Sequence, residues 1–356
     1  MQRVALGMSG GVDSSVAAVL LKNDGFDLLG VTMRLFDNKP LGDNLLTDES
    51  IAAKAICDRL NITHSQIDLR EEFCKKIVDY FVNEYIEGGT PNPCVVCNKQ
   101  IKFGLMQEKA LSLGCDFTAT GHYAKKEFDG ERVLIKKAAD VSKDQSYMLY
   151  TLSQSQIKNA LFPLGDLTKA EIREIARLEG FENANKKDSQ DICFVPSGDY
   201  AKFITDRTGK SFPEGSFISP DGTVLGKHKG IINYTIGQRK GLGIALGSPA
   251  FVTDKNVEQN TVTLSTDENS LFYKYVEIKD TNFIPFDNLK GALKVKAKLR
   301  YRQTEQNAVL HPVGDNSLII EFESPQRAPA KGQSAVFYDG DILVGGGIIL
   351  KGVNKL

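Results

Sequence analysis

Residues 4 to 15 read Val4-Ala5-Leu6-Gly7-Met8-Ser9-Gly10-Gly11-Val12-Asp13-Ser14-Ser15, and the helical run Val16-Ala17-Ala18-Val19-Leu20-Leu21 follows at once. An apolar strand empties into a Ser/Gly/Gly turn that becomes a helix N-terminus. Gly25 suits the left-handed residue just past that helix's end. The turn carries bare backbone N–H groups and no bulky side chain, so it is an anion site, and phosphate is the usual anion. It is not a Walker A loop, because no Gly-Lys-Ser/Thr follows at the required spacing. The plainer alternative is an ordinary Gly-rich turn, but strand, turn and helix are all in place.

Outward from this turn, short apolar runs alternate with helical stretches. Leu28 to Met33 reads as a second strand, Ser50 to Leu60 as a helix, and His64 to Leu69 as a third strand. Glu71 to Ile86 reads as another helix, and Asp116-Phe117-Thr118-Ala119-Thr120-Gly121 as a fourth strand. The alternation predicts an α/β fold with a doubly wound parallel sheet and ligands at the carboxyl ends of its strands, where Gly7 and Gly121 fall. Lys143 to Gly180 is mostly helical, with Thr168 and Glu171 as a capping box and Gly180 as the stop. Beyond about residue 200, Gly, Pro and Asp become frequent and runs shorten to strand length, with turn signals at Ser219-Pro220-Asp221-Gly222 and Tyr338-Asp339-Gly340-Asp341. The expected division is a nucleotide-binding domain over 1–204, a small mainly β domain over 205–275 and a C-terminal β-barrel over 280–356.

With 356 residues, 41% hydrophobic and 25% charged, the chain has an ordinary soluble composition and room for two or three cores. No apolar run approaches the roughly 18 residues that span a membrane, and no charged-then-apolar leader precedes the first strand. The expectation is a cytoplasmic protein without membrane association; nothing demands an oligomer, so a monomer is expected. A net charge of −1 argues against a whole-protein electrostatic grip on nucleic acid but allows a local basic stripe.

Two of the cysteine segments carry chemistry. Pro91-Asn92-Pro93-Cys94-Val95-Val96-Cys97-Asn98 precedes a helix expected from about Asn98. A cysteine near a helix N-terminus has its thiolate stabilised by the dipole, so a lowered pKa is expected there. Cys193 lies in Asp188-Ser189-Gln190-Asp191-Ile192-Cys193-Phe194, a polar loop running into an apolar piece. Cys57, Cys74 and Cys115 read as small buried hydrophobes. Cys94-x-x-Cys97 lacks the second ligand pair that a structural zinc needs, so no metal site is read from it.

The form Ser9-Gly10-Gly11-x-Asp13-Ser14 resembles the PP-loop of ATP pyrophosphatases, which split ATP into AMP and pyrophosphate. With Pro91-Asn92-Pro93-x-x-x-Cys97-Asn98 and Ile192-Cys193-Phe194 in this order, the whole chain resembles the bacterial tRNA-specific 2-thiouridylases. Thr120-Gly121-His122-Tyr123-Ala124, Lys143-Asp144-Gln145-Ser146-Tyr147, Gly237-Gln238-Arg239-Lys240-Gly241-Leu242 and Gly332-Gln333-Ser334-Ala335-Val336-Phe337-Tyr338 extend the match. The resemblance implies ATP-dependent adenylation of the C2 oxygen of the tRNA wobble uridine, followed by replacement with sulfur from a persulfide donor, either a cysteine desulfurase or a relay protein. It implies ATP binding by Gly7, Met8, Ser9, Gly10, Gly11, Val12, Asp13 and Ser14, with Met33 and Gly121 lining the pocket. Cys193 would carry the persulfide, and Cys97 would free its outer sulfur and form a Cys97–Cys193 disulfide. Asn92, Pro93 and Cys94 occupy the family's target-base segment; Lys143, Asp144, Gln145, Arg300 and Tyr301 occupy tRNA-contact positions, as do His122 and Gln333.

The residues themselves leave several roles open. Asp13 suits either a magnesium ion bridging the phosphates or helix capping. His122 also reads as a satisfied loop histidine, and Lys143 as a solvated surface lysine. In Lys294-Val295-Lys296-Ala297-Lys298-Leu299-Arg300-Tyr301-Arg302 every second residue is basic. A strand here predicts five charges on one face for tRNA phosphates, with a protected barrel edge as the alternative. Cys94 stands where the family most often has aspartate, giving three thiols that suit a persulfide route or an iron–sulfur cluster with one open iron. A PP-loop synthetase acting on a small metabolite, which needs neither cysteine, and a tRNA-binding protein without catalysis are the competing classes.

Overall fold

A computed structural model of the chain describes residues 1–36, 48–185, 191–314 and 316–355. The N-terminal part begins with β1 (Arg3–Gly7), helix α1 (Val12–Asn23), β2 (Asp27–Arg34), helix α2 (Asp48–Arg59) and β3 (Thr63–Asp68). Then come β4 (Phe117–Ala119), a hairpin of β5 (Lys125–Phe128) and β6 (Val133–Lys136), and the short β7 (Ala160–Leu161). The parallel sheet runs in the order β3-β2-β1-β4-β7. From β1 the chain winds outward to β2 and β3, then returns to add β4 on β1's other side. The switch point therefore lies between β1 and β4, where open α/β sheets hold ligands.

Alternation along β1 explains the layering. Val4 and Leu6 join one core with α1 and the helix Lys169–Leu178, while Ala5 faces the other side with Met106 and Ala110. Gly25 takes φ +83° just after α1, and Gly180 takes φ +67° after Lys169–Leu178. The Thr168/Glu171 capping box is formed, with both reciprocal hydrogen bonds present.

The central part is a four-stranded sheet in the order β10-β11-β8-β9, from β8 (Gly215–Ile218), β9 (Val224–His228), β10 (Phe251–Asn256) and β11 (Thr261–Ser265). Six strands follow: β12 (Phe272–Phe283), β13 (Leu293–Lys298), β14 (Gln306–Gly314), β15 (Ser317–Arg327), β16 (Ser334–Asp339) and β17 (Ile342–Val353). Their order is β12-β15-β14-β13-β16-β17, and a β12–β17 pairing closes them into a barrel. The β5–β6 hairpin leans on the barrel through Ile342 opposite Lys136, a connection with no signal in the local sequence.

The basic strand departs from expectation. β13 pairs with both β14 and β16, so it is an interior strand rather than an edge. Lys294 and Lys296 are exposed and Val295 and Ala297 buried, as alternation requires. Lys298, however, is buried over the rings of Tyr147 and Tyr338, at 5.5 and 5.2 Å from their centroids. The strand ends there, and Arg300 instead donates to the carbonyl oxygens of Ala328 and Ile236. A five-charge face is not formed, because aromatic packing draws the third lysine inward.

Candidate functional site

The first half of the site is the turn after β1. Gly11 is the N-cap of α1 with no side-chain cap, so the helix's first N–H groups face outward without a competing oxygen from Gly11. Gly10 adopts φ +68°, and a Cβ there would sit 2.8 Å from Ala52 Cβ. Ser14 Oγ donates to the Gly11 carbonyl at 3.0 Å and accepts from Ser9 N at 3.3 Å, bracing the turn from inside. Met8 and Val12 point into the core, and Ser9 is the exposed residue of this segment. Opposite lies Gly121, where a Cβ would come within 3.1 Å of Asp13 C and Ser14 N. The β4 end thus closes over the helix start, and only a glycine leaves that approach open.

Asp13 does not cap the helix, whose N-cap is Gly11. Its carboxylate accepts from Lys169 Nζ at 2.8 and 2.9 Å and from Tyr123 Oη at 2.7 Å. Lys169, Tyr123 and Asn183, which donates to the Gly10 carbonyl and Ser15 Oγ, brace the loop. Sequence reasoning missed all three, since each lies more than 100 residues from the loop. Met33 is half-buried between the core beneath the parallel sheet and the aromatic cluster described below.

The second half is built on a helix that starts earlier than expected, at Pro93, with Asn92 as N-cap. Proline suits that first position because its missing N–H would have no helical partner. Cys94 is therefore in the first turn and exposed, whereas Cys97 is buried, 9% exposed, within an apolar cluster. Burial pushes the Cys97 thiol up to about 12 rather than down. The dipole expectation fails because the helix has already begun and desolvation outweighs it. Cys193 is exposed, and the next residue, Phe194, anchors it. Phe194 sits edge-on to Phe73 at 5.6 Å and Phe81 at 5.3 Å and packs on Phe203 at 5.5 Å. Residues 186–190, the polar run expected before Cys193, lie outside the described residues.

Cys94, Cys97 and Cys193 are electrostatic neighbours: Cys97 is raised by both others, and Cys193 by Cys94. Cys94 and Cys193 are exposed, yet surrounding protein desolvates both and raises both thiols, Cys193 to about 11. Among the described residues no three His, Cys, Asp or Glu side chains converge closely enough to hold a metal ion, these thiols included. Cys57 and Cys115 are buried, but Cys74 is half-exposed against Arg207.

The positions assigned by resemblance to tRNA contact divide into two groups. His122 is 7% exposed; its Nδ1 bonds Thr120 Oγ1 at 2.7 Å and its Nε2 lies 3.5 Å from Lys102 Nζ. Burial and Lys102 hold its pKa well below the ordinary histidine value, so the satisfied-histidine alternative describes its placement. Asp144 is buried too, accepting from Ala138 N and from Ser146 N and Oγ. Gln145 accepts from Tyr123 N, Tyr301 Oη donates to the Asp144 carbonyl, and Gln333 Nε2 donates to the Thr90 and Pro91 carbonyls. Asp144, Gln145 and Tyr301 order the 138–146 loop, and Gln333 ties the barrel to the segment leading into Asn92 and Pro93. Lys143 is half-buried, and Asn92 and Arg300 retain exposed surface.

Relatives agree with this architecture along the chain. Residues 2–197 match the tRNA methyl transferase HUP domain, 201–266 the tRNA methyl transferase PRC-barrel domain and 274–349 the aminomethyltransferase beta-barrel domain. The tRNA-specific 2-thiouridylase MnmA 1 of Clostridium tetani is 51% identical over 351 residues, covering 98% of this chain and 96% of its own. The chain belongs to the tRNA-specific 2-thiouridylase family. The 2-thiouridylase MnmA of Clostridioides difficile is 48% identical over 98% of each chain. The U34-tRNA thiolase NcsA of Methanococcus maripaludis, solved with its [4Fe-4S] cluster, is similar over 58% of this chain and 64% of its own at 19% identity and a TM-score of 0.36. Among the described residues no helix is long and apolar enough to cross a membrane.

Proposed function

We propose that this chain is an ATP-dependent tRNA 2-thiouridylase in which the β1–α1 turn activates the uridine and Cys97 and Cys193 deliver the sulfur. The observation carrying this reading is the pairing of an uncapped, glycine-lined helix start with three neighbouring thiols, in a chain about half identical to named 2-thiouridylases. In the first step the uridine C2 oxygen attacks the ATP α-phosphorus, pyrophosphate leaves, and C2 is joined to AMP. Backbone N–H groups of the turn stabilise charge developing on the α-phosphate. Gly121 admits the nucleotide next to that helix start. Asp13, held by Lys169 and Tyr123 beside the turn, is the carboxylate placed to meet a magnesium ion carried on the ATP phosphates.

In the second step Cys193 holds a persulfide received from a protein donor. The Cys97 sulfur attacks Cys193 Sγ, the persulfide S–S bond breaks, and the Cys97 proton leaves with the outer sulfur as hydrosulfide. Hydrosulfide adds to C2, the C–O bond to AMP breaks, and 2-thiouridine forms as the remaining proton passes to solvent. The Cys97–Cys193 disulfide is then reduced by an external thiol, which supplies two electrons. Asn92, Pro93 and Cys94 face the incoming base in this reading, while Lys143, Arg300 and the exposed Lys294 and Lys296 offer positive charge to the tRNA backbone. The chain is read as a monomer of the cytoplasm, where a reducing environment would regenerate the thiols.

Incubation with ATP, a persulfide donor and unmodified tRNA, followed by nucleoside digestion and mass measurement, tests the reading. The expected product is 2-thiouridine with equal AMP and pyrophosphate; no thionucleoside with any tRNA overturns it. Cys94 raises an iron–sulfur alternative in the sequence, but among the described residues the three thiols do not converge as a metal-ligand set. Thiolation by iron-free, colourless protein excludes that route, and strict dependence on iron excludes the persulfide one.

A further inference from the structure

The helix that carries Cys94 and Cys97 is not α-helical throughout. Asn98–Leu105, beginning directly after Cys97, is a π-helical stretch. Single π segments inside α-helices are rare and recur at functional sites. Here the change of winding has a geometric consequence. In an α-helix the residue five positions after Cys97 would lie about 140° around the axis from it. In a π turn, closed from i to i+5, that residue comes close to one full turn on and returns to the same face. The residue is Lys102. Gly104 lies in the same stretch, and a Cβ there would sit 2.9 Å from the Lys99 carbonyl, so its missing side chain accommodates the wider winding.

Lys102 is held from the opposite side as well. Its ammonium lies 3.5 Å from His122 Nε2, while His122 Nδ1 bonds Thr120 Oγ1 at 2.7 Å. An ammonium has only donors, so Nε2 must accept and Nδ1–H must donate, a tautomer assigned from the network. His122 is clamped edge-on by Phe162 and tilted against Phe103. It adjoins Gly121, which closes over the start of α1. Lys102 therefore links the helix of Cys97 to the histidine next to Gly121.

We propose that Lys102 is a positioning residue for sulfur transfer, an ammonium that the π segment returns to the face of Cys97 and that His122 holds there, beside the sulfurs that must react as anions. The coupling agrees with this placement. Burial disfavours the anion at Cys94, Cys97 and Cys193, and Lys102 is the side chain that favours it at all three. An attacking sulfur must be anionic, so a buried thiol with no cation beside it would be inert. This inference rests on the thiolase reading for its purpose but not for its test.

The test is iodoacetamide alkylation of the full chain at fixed pH without ATP or tRNA, with each cysteine followed by peptide mass. Lys102→Gln is expected to slow Cys193 and Cys97 by about tenfold, the thiolate lost for one unit of pKa, and to leave half-exposed Cys74 unchanged. Lys102→Arg is expected to retain the original rates within about twofold, since it keeps the charge. Unchanged rates in Lys102→Gln overturn the proposal. So does a Lys102→Arg variant as slow as Lys102→Gln, which would assign the effect to shape. Failure of tRNA thiolation would leave these rates where they are, so the two readings fail separately.

Discussion

The Ser9–Ser14 turn and the thiol cluster, joined in the proposed reaction, are built on opposite principles. The turn is backbone: a strand end, glycines where side chains would intrude, and a helix start whose N–H groups need no side chain. It is contiguous in sequence and works through geometry that burial does not weaken. The cluster is side chains: Cys97 from one helix, Cys193 from a segment nearly a hundred residues later, and Lys102 turned toward them by a change of helical winding. Its thiols are disfavoured as anions by the packing that holds them. Backbone grips tolerate side-chain change and fail on added bulk. Side-chain sites fail when one atom type or one charge is lost.

Cysteine variants test this contrast with the largest effect. Cys97→Ser and Cys193→Ser are each expected to lower 2-thiouridine formation by on the order of a thousandfold or more, measured by nucleoside mass. Both should leave ATP affinity unchanged; loss of ATP binding would mean that the halves are not separate. Gly10→Ala is the mirror experiment. A positive φ and a 2.8 Å approach to Ala52 predict about 1–3 kcal/mol of lost stability by denaturant titration and weaker ATP binding, with cysteine alkylation rates preserved.

Lys169→Met comes next. It strips Asp13 of its cation in a half-buried setting and is expected to cost about 1–2 kcal/mol, read as a lower denaturant midpoint. The smallest expected effects separate the lysines of β13. Lys294→Gln or Lys296→Gln should reduce the salt dependence of tRNA binding by about one counterion each. Lys298→Gln should leave the salt slope unchanged and lower stability, because Lys298 is buried on two tyrosine rings.

The pH response of Cys97 has a defined sign. Burial raises its folded pKa to about 12, above the ordinary 9.0, so folding disfavours its ionised form. Its contribution to stability is fully present below pH 9 and is lost as pH rises from there toward 12. Denaturation midpoints across that window should fall less in Cys97→Ser than in the unaltered chain.

What could be read from sequence follows the same divide. The turn at Ser9–Ser14, the parallel sheet and the β-rich C-terminal half were legible because local patterns fix them: period-two strands, a glycine turn and a capping box at Thr168. The direction of the Cys97 shift was not, since it depends on where the helix begins and on neighbours such as Phe194. Lys169, Tyr123 and Asn183 carry no local signal for their role around Asp13. Lys298 broke a correct alternation because it is buried against two tyrosines from other segments, which the strand's own sequence does not announce. Lys102 was invisible to α-helical periodicity, which turns it away from Cys97.

The central claim is that one site joins ATP activation at the uridine oxygen to sulfur delivery from the thiols. Transfer of label from tRNA carrying oxygen-18 at C2 of the target uridine tests it most directly. One oxygen-18 atom should appear in AMP for each 2-thiouridine formed. AMP without label alongside 2-thiouridine would contradict adenylation of the uridine oxygen and separate the two halves.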